Sequence, residues 1–86
     1  MNFLHSEVDA GPGDVVRVTL NKRANVKMMD GHNFRRYQSG QSHDYYGGLA
    51  KVWPLDLRPP YRGRWNVVVD LGGYAGTVDA SVAVIR

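Results

Sequence analysis

Between Asn33 and Arg64, the side chains of Arg35, Arg36, Lys51, Arg58, Arg62 and Arg64 are interleaved with Tyr37, Tyr45, Tyr46, Trp53 and Tyr61. Guanidinium groups grip phosphate or carboxylate in a planar fork, and aromatic faces stack on bases and other flat groups. That mixture suits a nucleic acid or an acidic partner. It also has an ordinary use, because a small β domain fills its core with large aromatics and leaves its arginines on a solvated rim. The net charge of +3 is modest for a nucleic-acid binder and favours the rim.

Other groupings carry less chemistry. Ser42-His43-Asp44 holds the three side-chain types of a hydrolase triad, but sequence neighbours cannot converge on one point, and working triads assemble from distant segments. His5, His32 and His43, with Asp30 and Asp44, are metal-ligand types at no ligand spacing of a helix or strand. Gly72-Gly73-Tyr74-Ala75-Gly76 is glycine-rich like a phosphate-cradling loop, yet such loops open a helix and an alternating strand follows this one. Pro59-Pro60-Tyr61 is one residue short of the Pro-Pro-x-Tyr pattern and reads as a rigid connection. No catalytic residue, metal site or cofactor is assigned, and the chain is not expected to be an enzyme.

Composition narrows the classes further. There is no cysteine, so disulfides, thiolate zinc sites, iron–sulfur clusters and cysteine nucleophiles are excluded together. Hydrophobic residues at 43% and charged residues at 22% describe a chain that folds rather than a disordered one. Its 86 residues have room for one core, so residues 1–86 are expected to form one domain. The basic excess is local: residues 31–64 carry six bases against two acids, whereas residues 1–30 carry four of each. Met1 to Glu7 has neither the basic start nor the apolar run of a secretion signal, and later apolar runs are only a few residues long. A soluble, cytoplasmic protein without membrane association is the expectation.

The elements that must position these residues are mostly strands. Val16, Val18 and Leu20 alternate with Val15, Arg17 and Thr19 after the turn-forming Gly11-Pro12-Gly13. Ala24, Val26 and Met28 alternate with Asn25, Lys27 and Met29, and the two runs, separated by Asn21-Lys22-Arg23, read as a hairpin. Trp65, Val67, Val69 and Leu71 share one face of a β-branched run that ends at Gly72-Gly73. Val78, Ala80, Val82 and Val84 share a face of the next run, and this pair reads as a second hairpin. Leu49 to Leu57 is a further strand that Pro54 confines to an edge or a bulge, and residues 3–9 supply a short first strand. Asp30 to Asn33 offer cap residues, followed by Phe34 and Tyr37 three apart and a stop at Gly40, which predicts a short helix. Together these runs predict an all-β fold: a small β-sandwich, or one bent sheet, of about five to seven strands with one short helix.

Ala24-Asn25-Val26-Lys27-Met28-Met29-Asp30, then Asn33-Phe34 and Tyr37, then Tyr45-Tyr46-Gly47-Gly48, and finally the stretch from Gly63-Arg64-Trp65 to Gly72-Gly73-Tyr74 carry a family likeness. In them the chain resembles, over essentially its whole length, the small bacterial DUF1883 family. The resemblance implies a compact all-β sandwich with a bent sheet, found as a stand-alone bacterial protein and sometimes joined to a Toll/interleukin-receptor-type signalling domain. It implies no activity, ligand or catalytic residue.

The expected function is therefore that of a non-enzymatic interaction module that binds another protein or a second copy of itself. The alternative is weak binding of nucleic acid or another polyanion through the basic–aromatic segment 31–64. The candidate binding residues are Asn33, Arg35, Arg36, Tyr37, His43, Tyr45, Tyr46 and Arg62. Tyr45-Tyr46-Gly47-Gly48 is expected in a long loop after the helix, where recognition residues concentrate, unless that loop folds back over an open end of the sandwich. Val15, Val68 and Ile85 fall opposite the inward-facing sets, so either a second copy or a further layer of this chain covers them.

Overall fold

Alternation places Val16, Val18 and Leu20 on one side of β2 (Val15–Leu20) and Ala24, Val26 and Met28 on one side of β3 (Ala24–Met29). Burying those two sets against each other shapes the molecule. A computed structural model, which describes residues 3–86, adds β1 (Phe3–Ala10), α1 (Gly31–Gln38), β4 (Tyr46–Ala50), β5 (Leu55–Leu57), β6 (Gly63–Asp70) and β7 (Ala80–Ile85). Antiparallel pairing joins the strands into a four-stranded sheet, β1-β6-β3-β4, and a three-stranded sheet, β5-β2-β7. The two sheets stack as a sandwich. Val16, Val18 and Leu20 meet Val26, Met28, Trp65, Val67 and Val69 between them, with Val82, Val84, Leu55 and Leu57 closing the sides. Each Val or Leu buried in this way contributes roughly 1.5–3 kcal/mol.

The strand faces are those expected from alternation, but both expected hairpins are absent. β2 pairs with β5 and β7, β3 pairs with β4 and β6, and β6 pairs with β1 and β3, so neither β2–β3 nor β6–β7 shares a ladder. The physical reason is visible at Asn21. Its N–H donates to the Asp79 carbonyl at 3.2 Å, and its side-chain oxygen accepts from the Asp79 N–H at 2.8 Å. Asn21 thus prolongs the β2–β7 ladder, and the chain must cross to the other sheet before β3 begins. Residues 71–79 make the corresponding crossing after β6, with Gly72 and Gly73 at φ 65° and 92° in its turn.

The outer face of the four-stranded sheet has its own cover. Asp30 caps α1 by accepting from the Asn33 N–H at 2.8 Å, and the helix closes with Gly40 at φ 73°. Phe34 and Tyr37 then point onto the sheet, forming a second small core with Phe3, Met29 and Val68. Val68 is fully buried under this helix, so a third layer of the same chain covers it. Ile85 remains exposed, beside its cross-strand neighbour Val15.

The segment after α1 also differs from expectation. Tyr46, Gly47 and Gly48 lie in β4, an edge strand, so the loop is only 39–45. Gly47 allows the close approach of β4 to β3: its φ is 120°, and a Cβ there would sit 2.2 Å from the Val26 carbonyl oxygen. The Leu49–Leu57 strand is interrupted before Pro54. Its halves become edge strands of different sheets, β4 and β5.

Candidate binding cleft

On the helix-covered face, strand register sets up a row of polar side chains. Asn25 stands opposite Asp70, and Lys27 stands opposite Val68 on one side and Gly47 on the other. The Tyr37 hydroxyl reaches down from α1 and donates to Asp70 Oδ2 at 2.6 Å. Asp70 Oδ1 accepts from Asn25 Nδ2 at 3.0 Å and from the Gly72 N–H at 2.8 Å. Burial alone would raise the Asp70 carboxyl, but those three donors and the nearby Lys27 charge outweigh it and hold the group below its ordinary range. Burial, reinforced by the bond to Asp70, pushes the Tyr37 phenol well above its own. The arrangement ties helix to sheet.

Lys27 carries the connection into the loop. Its Nζ lies 3.1 Å from His43 Nε2 and over the rings of Tyr37 and Tyr45, at 5.2 and 4.6 Å from their centroids. His43 Nδ1 is 2.9 Å from the Gln41 carbonyl oxygen. Ammonium can only donate and a carbonyl can only accept, so these partners select the tautomer with its proton on Nδ1. Both ring nitrogens are engaged, neither with Ser42 nor with Asp44. Arg36 Nε donates to the Ser42 carbonyl at 2.7 Å, and Asn33 Oδ1 accepts from the Asp44 N–H at 2.9 Å. Residues 39–45 are therefore pinned to α1 and β3 rather than laid over an open end of the sandwich.

This pinning shapes a cleft of about 430 Å³, lined by Asp30, Asn33, Asp44, Tyr45, Tyr46, Tyr61, Trp65 and Met29. Trp65 is its buried floor. Tyr46 and Tyr61 both rest on the Trp65 ring, with centroids 6.0 and 4.8 Å away, and the indole N–H donates to the Tyr61 carbonyl at 3.2 Å. Tyr45, Tyr46 and Tyr61 are nevertheless 42%, 48% and 52% exposed. Burial, and after it the negative charge of Asp30, raise the Tyr61 phenol above its ordinary pKa. Asn33 bridges the rim: its amide nitrogen donates to Asp30 Oδ1 at 3.1 Å while its oxygen holds the Asp44 backbone. The lining contains no basic residue.

Of the residues singled out from sequence, the structure brings Asn33, Tyr45 and Tyr46 into this cleft, with His43 supporting Tyr45 from behind. Tyr37 is 4% exposed and belongs to the small core. Arg36 pins the loop, Arg35 is exposed on α1, and Arg62 pairs with Asp14 at 2.9 Å. Arg17, Arg64 and Arg86 are likewise opposite Asp56, Glu7 and Asp14. Sequence reading missed Asp30 and Asp44 as rim groups, Tyr61 as a wall and Trp65 as the floor of the same cleft. The one sequence signal for Tyr61 and Trp65 was aromatic type, because β3–β6 pairing and the approach of the Tyr61 segment bring them to Asp30 over more than thirty residues. Among the described residues no three His, Asp or Glu side chains gather as metal ligands.

The family model described as Domain of unknown function (DUF1883) matches residues 1–86, the whole chain, and the protein belongs to that family. No curated protein and no solved structure matches it.

Proposed function

We propose that this member of the DUF1883 family is a non-enzymatic interaction module that binds a partner protein through the cleft beside α1. The observation that carries the reading is the contrast between Tyr37 and its neighbours. Tyr37 is spent on the core, whereas Tyr45, Tyr46 and Tyr61 are held in place by Trp65, Lys27 and the pinned loop and still present about half their surface to solvent. Rigid, half-exposed aromatics around a pocket are what protein recognition sites use, because they add contact area without a large ordering cost.

The polyanion alternative draws less support. Of the six bases in residues 31–64, Arg62 and Arg64 are paired with Asp14 and Glu7 and Arg36 is used on the Ser42 carbonyl, and the cleft itself is acidic. Selection from a random-peptide display library tests the reading. Wild-type protein should enrich peptides whose binding disappears in Tyr46→Ala; enrichment insensitive to cleft substitutions would overturn it.

A further inference from the structure

The cleft joins two kinds of surface that meet usefully over one class of ligand. Its walls are the rings of Tyr45, Tyr46 and Tyr61, and its rim carries the carboxylates of Asp30 and Asp44. Asp30 is partly committed, since its Oδ1 accepts from both nitrogens of Asn33. The Asp44 carboxylate is exposed and makes no hydrogen bond or ion pair among the described residues; only its backbone is held, by Asn33. Elsewhere Asp14, Asp56, Asp70 and Asp79 are partnered, and the other open aspartate among the described residues, Asp9, lies on β1 outside the cleft. Lys27 already sits over one face of Tyr45, at 4.6 Å, so the free ring faces are chiefly those of Tyr46 and Tyr61; beside them an open carboxylate, in a lining without lysine or arginine, is complementary to a cation.

We propose that the cleft receives the guanidinium of an arginine from a basic segment of the partner, stacked on the exposed tyrosine faces and paired with Asp44. This deepens, and rests on, the interaction-module reading. The ring faces attract a cation through their quadrupole, and a guanidinium is flat enough to lie on a tyrosine while its in-plane N–H groups reach a carboxylate. An ammonium must choose between the two, because its hydration shell is tighter and its donors are not coplanar. The space, about 430 Å³, is near the lower end of the range of roughly 300–1,000 Å³ for small-ligand pockets and suits one side chain with its backbone outside. Phosphate and carboxylate ligands would meet Asp30 and Asp44 with like charge.

The test is a ¹⁵N-resolved NMR titration of the full chain with N-acetyl-Gly-Arg-Gly-amide, with its citrulline counterpart, which keeps the shape and lacks the charge, and with a neutral disaccharide. The arginine peptide should shift amides at Asp30, Asn33 and Asp44 to Tyr46 in a saturable way. The citrulline peptide should bind at least fivefold more weakly and the disaccharide should not compete. Asp44→Asn should weaken the arginine peptide about three- to fivefold, the size of an exposed ion pair, and Tyr46→Ala by about tenfold. Equal binding of the citrulline peptide, competition by the disaccharide, or shifts scattered over other acidic residues such as Glu7 and Asp79 would overturn the assignment. If display selection yields cleft-dependent peptides without arginine, the arginine assignment fails and the module reading stands. If selection yields nothing dependent on the cleft, the module reading itself fails.

Discussion

The Tyr37 hydroxyl donates to the Asp70 carboxylate at 2.6 Å across the contact between α1 and the four-stranded sheet. Through it the helix, and the loop pinned to that helix, are fixed to the end of β6 on the outer face of the four-stranded sheet. Tyr37→Phe keeps the ring packing on Phe3, at 5.2 Å between centroids, and removes the hydroxyl that donates to Asp70. Loss of a buried hydrogen bond to a charged acceptor should lower stability by about 1.5–3 kcal/mol. Chemical denaturation at neutral pH checks this, and a change below about 0.5 kcal/mol would mean that water replaces the hydroxyl without loss.

Stability should bend at both ends of the pH scale. Asp70 and Asp14 are held below the ordinary carboxylate value of 3.8, Asp14 chiefly by the Gly11 N–H and then by Arg62 and Arg86. The unfolded chain therefore binds more protons near that value, and stability present above it is lost as the pH falls through 3.8 toward the folded pKa values. Tyr37 is shifted the other way: its contribution is complete below the ordinary phenol value of 10.0 and is lost as the pH rises beyond it. Denaturation midpoints across pH should show a shallower acid limb in Asp70→Asn and a shallower alkaline limb in Tyr37→Phe. Unchanged limbs would remove these groups from the explanation.

Lys27 should govern the loop more than the fold. Lys27→Gln takes the ammonium from His43 and from the Tyr45 face, contacts worth about 0.5–1.5 kcal/mol each. Amide hydrogen exchange in residues 41–45 should quicken by about threefold to tenfold, while exchange in β6 stays as it was. Equal acceleration in both places would make Lys27 a general stabilising residue instead.

Gly47 should be intolerant and Gly13 tolerant. An alanine methyl at Gly47 collides with the Val26 carbonyl at a φ of 120°, whereas at Gly13 nothing lies within 4 Å. Gly47→Ala should cost about 3 kcal/mol or more and Gly13→Ala less than about 1 kcal/mol. Thermal unfolding of the two variants compares them directly.

The β-sandwich class was readable in the sequence because period-two alternation reports which face of a strand is buried, as at Val16, Val18 and Leu20. Alternation does not report the partner. The two apparent hairpins dissolve because β2 pairs with β7, prolonged by Asn21 bonding to Asp79, 58 residues away, and β6 pairs with β1 and β3, matches that no local pattern encodes. The same limit applies to the site. Tyr45 and Tyr46 were legible as a surface pair near Asn33. The burial of Tyr37 follows from its helix lying over Val68 and Met29, and the pairing of Arg17 with Asp56 follows from the β2–β5 register that sets them opposite each other. Residues 34 and 37 mark a helix face equally well whether it meets a partner or its own sheet.

The most direct measurement combines two readings on one variant, Tyr45→Ala/Tyr46→Ala. Its thermal midpoint should stay within about 8 °C of wild type, the shift expected for a loss near 1 kcal/mol in a chain of this size. Its affinity for a peptide selected by the wild-type protein should fall at least tenfold. Loss of cooperative unfolding would show the two tyrosines to be packing residues, and a stable variant that binds the peptide undiminished would place recognition elsewhere; either result contradicts the cleft as the binding site.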